Sequence, residues 1–261
     1  LTNRIGNKMI RPTTVPQSLE ALIIEQAIAR EALRLSFEQH KEFAVHLKGV
    51  QTERTISDAF EQTSSGTTLV NLMELEMLVG SGGVLSHAPR RHQAARMLID
   101  AFLPEGITQL AVDSIFMMPQ LGILSTIHPK AAVEVFEKDC LIRLGTCIAP
   151  VGKTKEDEVV LKYEISLPNE KIGGELMFGE LKLIPAPFEL IKIILTPCKG
   201  LDVGGGKNEI LETEIYGGVV GIILDGRGRE PFNLSKDRRE RMYNLNTWSE
   251  ATNEYPQLET V

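Results

Sequence analysis

The sequence has little of what marks most catalytic and metal centres. It holds three cysteines, Cys140, Cys147 and Cys198, in 261 residues. They show no Cys-x-x-Cys spacing and no matching histidine cluster, so buried, reduced thiols are expected instead of a metal site. His40 and His46 fall near a helix end with no third ligand in view. No Gly-Lys-Ser/Thr follows a glycine-rich turn, which excludes a Walker A loop, and the Rossmann glycine spacing is absent too. No Ser/His/Asp order and no paired-carboxylate motif stands out. Positive charge is short: 28 Lys and Arg against 35 Asp and Glu give a net charge of −7. That balance argues against nucleic acid or an anionic membrane surface as partner. No apolar run reaches the roughly 20 residues of a membrane span. No signal peptide is readable, so a cytoplasmic protein is expected. The chain starts at Leu1, and "LTNRIGNKMIRPTTVP" reads as a chain joined midway. A fragment is expected, whose function depends in part on residues outside it.

What is present divides into two patterns. Residues 17–40 carry the strongest helical signal, with Glu20, Arg30, Glu31, Arg34 and Glu38 on one narrow stripe. Apolar residues cover much of the remainder, which predicts a helix buried on most sides. "MLVG" predicts a strand, "RRHQAARMLIDAF" a helix and "TQLAVDS" a short strand. "MMPQLGILS" predicts a turn through Pro119 and Gly122, and Pro129 a helix start. Residues 1–144 thus alternate helix and strand.

After about residue 145 the period changes to two. In "DEVVLKYEISLP", Val159, Leu161, Tyr163, Ile165 and Leu167 share a face opposite Lys162, Glu164 and Ser166. Further short runs of this kind, punctuated by Gly, Pro and Asn, predict a β-sandwich or barrel over 145–234. A helical or frayed tail is expected over 235–261. It would dock Met242, Leu245 and Trp248 and fray beyond them.

The glycine-rich turn Gly80-Ser81-Gly82-Gly83 is the leading candidate site. Glycines let a ligand approach the backbone, and the following N–H groups suit an anion. Arg90, Arg91 and His92 crowd a helix start, where positive charge is unfavourable unless something offsets it. A tight packing turn with solvated arginines is the competing reading. "LDVGGGK" (201–207) reads as a loop, and "LDGRGREP" (224–231) as a solvated hairpin.

The stretch "VGSGGVLSHAPR" resembles the adenosine motif of the actin-like ATPase superfamily. More narrowly, the chain resembles the MutL/GlmL family, accessory proteins of glutamate mutase (methylaspartate mutase). The segments that carry this are "MIRPTTVPQSLEALIIEQAIAREALR", "VGSGGVLSHAPR", "PEGITQLAVDSIFMMPQLGILS", "RLGTCIAPVG", "DVGGG" and "GIILDGRGR", in that order. The resemblance implies that residues 1–144 are the C-terminal part of an actin-like ATPase domain. The fold class expected is then a partial α/β actin-like domain followed by an all-β sandwich or barrel, α+β overall. It implies that Gly80, Ser81, Gly82, Gly83 and Val84 border the adenosine of ATP. It further implies that Arg30 and Arg34 face the cleft and that Met118–Gly122 is a second adenine-side turn.

The family's Asp-x-Gly-Gly-Ala-Thr-Thr-Asp segment occurs nowhere in the chain. ATP with Mg is therefore expected of a full-length protein and no tightly bound cofactor, metal or catalytic residue of this fragment. The parent reads as an ATPase; the fragment lacks the phosphate-binding and catalytic motifs. The implied function is an ATP-dependent accessory or reactivating factor for an adenosylcobalamin-dependent mutase, whose subunit is the expected partner. The alternatives are a β-domain module that docks a mutase subunit with vestigial nucleotide binding, and a kinase-like enzyme acting on a small metabolite.

Overall fold

The computed structural model describes residues 2–44, 69–155, 158–229 and 234–256. His46 and the 63–68 loop lie outside them. Helix α1 spans Thr2–Ile10 and α2 spans Leu19–Phe43. Ser18 caps α2 by accepting from the Ala21 amide, which satisfies one of the free N–H groups at the helix start. The short α1 was not legible in the sequence. It is tied to α2 by ion pairs Arg4–Glu20 (3.0 Å) and Lys8–Glu25 (2.6 Å).

A single 3-10 turn (Leu72–Glu74) leads into β1, Met77–Gly80. Helices α3 (Gly83–Ser86) and α4 (Arg91–Phe102) cross to β2 (Gly106–Asp113), which lies parallel to β1. Helices α5 (Met118–Ser125) and α6 (Pro129–Val135) follow, then a π turn and β3 (Leu141–Ala149). The remaining strands are β4 (Val159–Ser166), β5 (Lys171–Met177), β6 (Leu181–Ile184), β7 (Leu190–Pro197), β8 (Leu211–Tyr216) and β9 (Gly221–Asp225). Helix α7 is Arg238–Ala251.

Two sheets result. A mixed sheet runs β1-β2-β3-β9-β6, and an antiparallel sheet runs β5-β4-β7-β8. The mixed sheet is the middle layer. Alternation along its strands explains why. On β9, Ile223 joins the core beneath the helices, with Leu98, Leu110, Cys147 and Trp248. Its neighbours Ile222 and Leu224 join the core shared with Leu161, Ile165, Ile191, Ile193 and Leu195 of the other sheet. Each such side chain contributes about 1.5–3 kcal/mol by leaving water. The expected boundary at 144/145 falls inside β3. Strands β6 and β9, from the later region, complete the sheet that the earlier region begins. Contact between β3 and β9 requires Gly145. Its φ is +147°, and a Cβ there would lie 1.8 Å from the Gly221 carbonyl oxygen.

Three expectations need correction. Helix α2 is not buried on most sides: Gln26 is its one fully buried residue, and Leu35 is 51% exposed. Its apolar residues wrap the helix, but those that pack on the core beneath are Ala29 and Leu33, while Gln26 donates to Gln93 through its side-chain amide. Phe37 packs edge-on against Phe102 of α4. In α7 only Trp248 docks, with its indole N–H donating to the Gly179 carbonyl at 2.7 Å. Met242 and Leu245 are 52% and 40% exposed. The segment just beyond Trp248 is not frayed, since Thr252 and Glu254 are buried.

The third correction concerns "LDGRGREP". It is not a solvated hairpin. Asp225, Arg227 and Arg229 are buried. Arg227 and Arg229 each place a guanidinium nitrogen 2.8 Å from Asp225 Oδ2, and Arg227 also reaches Asp100 of α4 at 2.7 Å. Arg229 donates to the Pro104 carbonyl. Asp100 further pairs with Arg96 (3.2 Å) and Arg30 (3.4 Å), and Glu254 pairs with Arg30. Burial pushes the Asp225 carboxyl up, but Arg227 and Arg229 outweigh it and hold it well below the usual carboxylate range. At Asp100, burial is likewise outweighed by Arg96, Arg227 and Arg30.

A depressed folded-state pKa gives stability that is complete above the unfolded value, about 4, and is lost as pH falls through and below it. Urea unfolding at pH 7 and at pH 3 should therefore show a steep acid loss. Asp225→Asn should cost about 3–5 kcal/mol at pH 7, because buried Arg227 and Arg229 lose the carboxylate they share. The variant should also show a flatter acid limb. An unchanged limb would mean that Asp225 is not the titrating support.

Candidate functional site

The glycine turn lies where β1 and β2 both end. The pairing Gly80–Val112 is the last between these parallel strands. The next residues are Ser81 on one and Asp113 on the other. Carboxyl ends of adjacent parallel strands are where open α/β sheets bind ligands. The four residues of the turn have different duties. A Cβ on Gly80 would lie 3.0 Å from Leu85 and 3.1 Å from Leu98, so this glycine serves close packing of α3 and α4 on the strand. Gly82 has φ +103° and precedes α3, a conformation that side chains resist. A Cβ on Gly82 or Gly83 would meet nothing within 4 Å. Backbone geometry fixes Gly82, therefore, and open space lies over Gly83.

That space is a cavity of about 550 Å³. Gly83, Val84 and His87 form one wall, and Lys8, Val15 and Leu22 of the N-terminal segment and α2 face them. On its other side, α3 is fastened to β2: Ser86 Oγ donates to the Asp113 carbonyl at 2.5 Å.

Two polar atoms stand out. Ser81 Oγ and Asp113 Oδ1 are buried and have no hydrogen-bond partner. Such groups cost about 1–3 kcal/mol each when left unpaired, and native folds leave few of them. Both lie at the ends of the same two strands. The other Asp113 oxygen accepts from the Met118 amide at 3.0 Å and so caps the next helix. Asp113 was missed in the sequence reading. The signal that exposes it is its place one step beyond the last β1–β2 pairing, level with Ser81.

Other expected site residues are placed differently. Met118–Gly122 is not a turn but the start of α5, where Pro119 suits the first helical positions. The arginines at the start of α4 are engaged. Arg91 donates to the Ser86 carbonyl at 2.7 Å, and Arg90 to the Asn253 side chain at 3.0 Å. Arg91 thus meets the negative end of α3, which removes the need for a phosphate to offset it. Arg30 turns inward to Asp100 and Glu254, while Arg34 stays on the surface with Glu31 and Glu38. Around 202–206, Asp202 accepts from the Gly204 and Gly206 amides, so the loop is closed on itself. Cys147 is buried, and burial with Asp225 nearby pushes its thiol up to about 12. No cluster of His, Cys, Asp and Glu suited to a metal exists among the described residues. Among them, too, no helix is long and apolar enough to cross a membrane.

A family model described as MutL protein matches residues 1–140, more than half of the 261. The chain belongs to the MutL protein family. The match spans the glycine turn, Ser81, Asp113 and all of α1–α6. No curated protein and no solved structure matches the chain.

Removing the orphaned hydroxyl tests the geometry directly. Ser81→Ala should leave stability unchanged or raise it by about 1 kcal/mol in urea unfolding, since a buried unpaired group is lost. A loss above that size would show that Ser81 Oγ has an internal partner.

Proposed function

We propose that the chain is the C-terminal part of an ATP-dependent accessory factor for glutamate mutase or a related adenosylcobalamin-dependent mutase. The observation that carries this is the family match across a turn at which the Ser81 hydroxyl and one oxygen of the neighbouring Asp113 carboxylate are unpartnered. A hydroxyl and a carboxylate are the groups that receive a ribose hydroxyl or an amino group, and Gly82 and Gly83 leave the backbone open beside them. Gly80, Ser81, Gly82, Gly83 and Val84 would line the adenosine side. The phosphates and Mg would be held mainly by hairpins that this sequence does not contain. ATP, when bound, supplies the binding energy that favours one arrangement of the factor over another. The mutase feels it only if its contacts differ between those arrangements.

Fluorescent-ATP titration tests the reading. The 261-residue chain should bind at least tenfold more weakly than a parent protein that carries the phosphate hairpins. In that parent, Gly82→Val should weaken binding at least tenfold with the fold intact by circular dichroism. Tight, Mg-dependent hydrolysis by this chain alone would refute the assignment.

A second reading, docking of a mutase subunit by the β-rich region, is favoured by one surface. Phe188, Leu190, Tyr216 and Val219 are exposed together near the β7–β8 edge, with Phe188 stacked on Tyr216 and Arg143 over its ring. Exposed aromatic and apolar groups of this kind mark interaction surfaces. Phe188→Ser should reduce co-purification with the mutase subunit at least fivefold without changing the urea midpoint. Undiminished co-purification would move the contact elsewhere.

A further inference from the structure

A second cavity, of about 630 Å³, opens between α2, α4, α7 and the segment 252–256. Arg30 and Arg34 of α2, Arg96 of α4 and Arg227 line it, beside Glu31, Asp100 and Glu254.

Among the side chains of this wall, Arg96 has the most buried donors left open. Its side chain is 3% exposed. One nitrogen lies 3.2 Å from Asp100, and Nε lies 3.8 Å from Glu254. Nε and Nη1 have no hydrogen-bond partner, nor does Arg30 Nε in the same wall. Burial, with Arg227 and Arg30 nearby, pushes the Arg96 guanidinium below its usual range. A buried guanidinium with open donors is costly, and an apolar side chain of similar size would pack there at no such cost. A rigid guanidinium fork matches a carboxylate or a phosphate. The rest of the wall includes Leu245, Trp248 and Tyr255, which suits a ligand with an apolar body.

We infer that this cavity is an oxyanion site, with Arg96 as its principal donor and Arg30 beside it, for a small carboxylate or phosphate compound. The site is separate from the glycine turn and does not depend on nucleotide binding there. Glu254 lies against both arginines and weakens the pull on an incoming anion. Since Arg96 is enclosed, anion entry shifts the segment 252–256. Trp248 lines the cavity and is the one tryptophan of the chain, so its emission reports the event.

The test titrates the 261-residue chain with inorganic phosphate and, separately, with succinate, each against chloride at matched ionic strength. A saturable change in Trp248 emission with either oxyanion is expected, and their relative affinities tell which group the site prefers. Arg96→Met should weaken the affinity at least tenfold while keeping or raising the urea midpoint. Arg96→Lys, which keeps the charge and loses the fork, should weaken it at least threefold and serves if the Met variant does not fold. Glu254→Gln should tighten it at least threefold. Absence of a saturable response in the unaltered chain would overturn the inference. So would unchanged affinity in both Arg96 variants, or no tightening in Glu254→Gln.

Discussion

The carboxylate of Asp225 is the point to which the layers are tied. It sits at the end of β9, on the face of the mixed sheet that meets α4, and holds Arg227 and Arg229. Arg227 then reaches Asp100 on α4 and stacks on Trp248 of α7 at 5.0 Å. Asp100 in turn gathers Arg96 and Arg30, which brings in α2. A strand, a loop and three helices are thus linked through two carboxylates. Charges enclosed in this way add less net stability than their number suggests, because each was taken from water. What they add is a demanding geometry. An α4 shifted along the sheet would leave an uncompensated charge inside the protein, so one placement of the helix layer is strongly preferred.

That placement serves the glycine turn. Helix α4 follows the turn and the short α3, and Leu98 packs so close over Gly80 that a Cβ there would lie 3.1 Å from it. A side chain at Gly80 would lift α4 away from the strand end. The turn is therefore both a packing feature and the border of a cavity, and its residues divide the two tasks. Gly80 belongs to packing, Gly82 to chain direction and Gly83 to open space. Arg91 completes the arrangement by bonding the C-terminal carbonyl of α3. Positive charge at the start of α4, unfavourable for that helix alone, is favourable for the short helix before it. A helix-by-helix reading of charge misses such a pairing.

Strand alternation was the most legible part of the sequence. In β4 a period of two placed Leu161, Tyr163 and Ile165 inward and Lys162 and Glu164 outward, and burial follows that order. Local geometry enforces this period, so no distant contact has to be known. What depended on distant partners was not legible. "LDGRGREP" has the composition of a solvated turn, and only the arrival of α4 makes its arginines interior residues. Glu254 looked like part of a loose tail because its partners, Arg30 and Arg96, lie more than 150 residues earlier. Asp113 escaped notice because a lone aspartate after a strand is ordinary. Its free oxygen matters only once Ser81 is seen at the end of the adjacent strand. At Pro119 and Gly122, turn-forming residues were read at face value, whereas proline at a helix start and an Asp113 oxygen on the Met118 amide favour a helix.

The family match ends at residue 140, but the fold of the matched part does not close there. Arg30, Arg96 and Asp100 lie inside the match, while Asp225, Arg227, Arg229, Trp248 and Glu254 lie outside it. Strand β2, also inside, is covered on its free side by β3, which begins at Leu141. Without the later residues, Arg96 would lose Glu254, Asp100 would lose Arg227, the β2 edge would be left unpaired, and the core beneath Leu98 would lose Ile223 and Trp248. The matched segment and the β-rich region therefore share one sheet and one core, whatever the functions each surface serves. Any signal that moves the 252–256 segment acts on Arg30 and Arg96, and through Asp100 on α4, whose Leu98 packs at Gly80. The structure supplies physical continuity between the two cavities. A functional coupling would further require two arrangements of α4 that each cavity's ligand distinguishes.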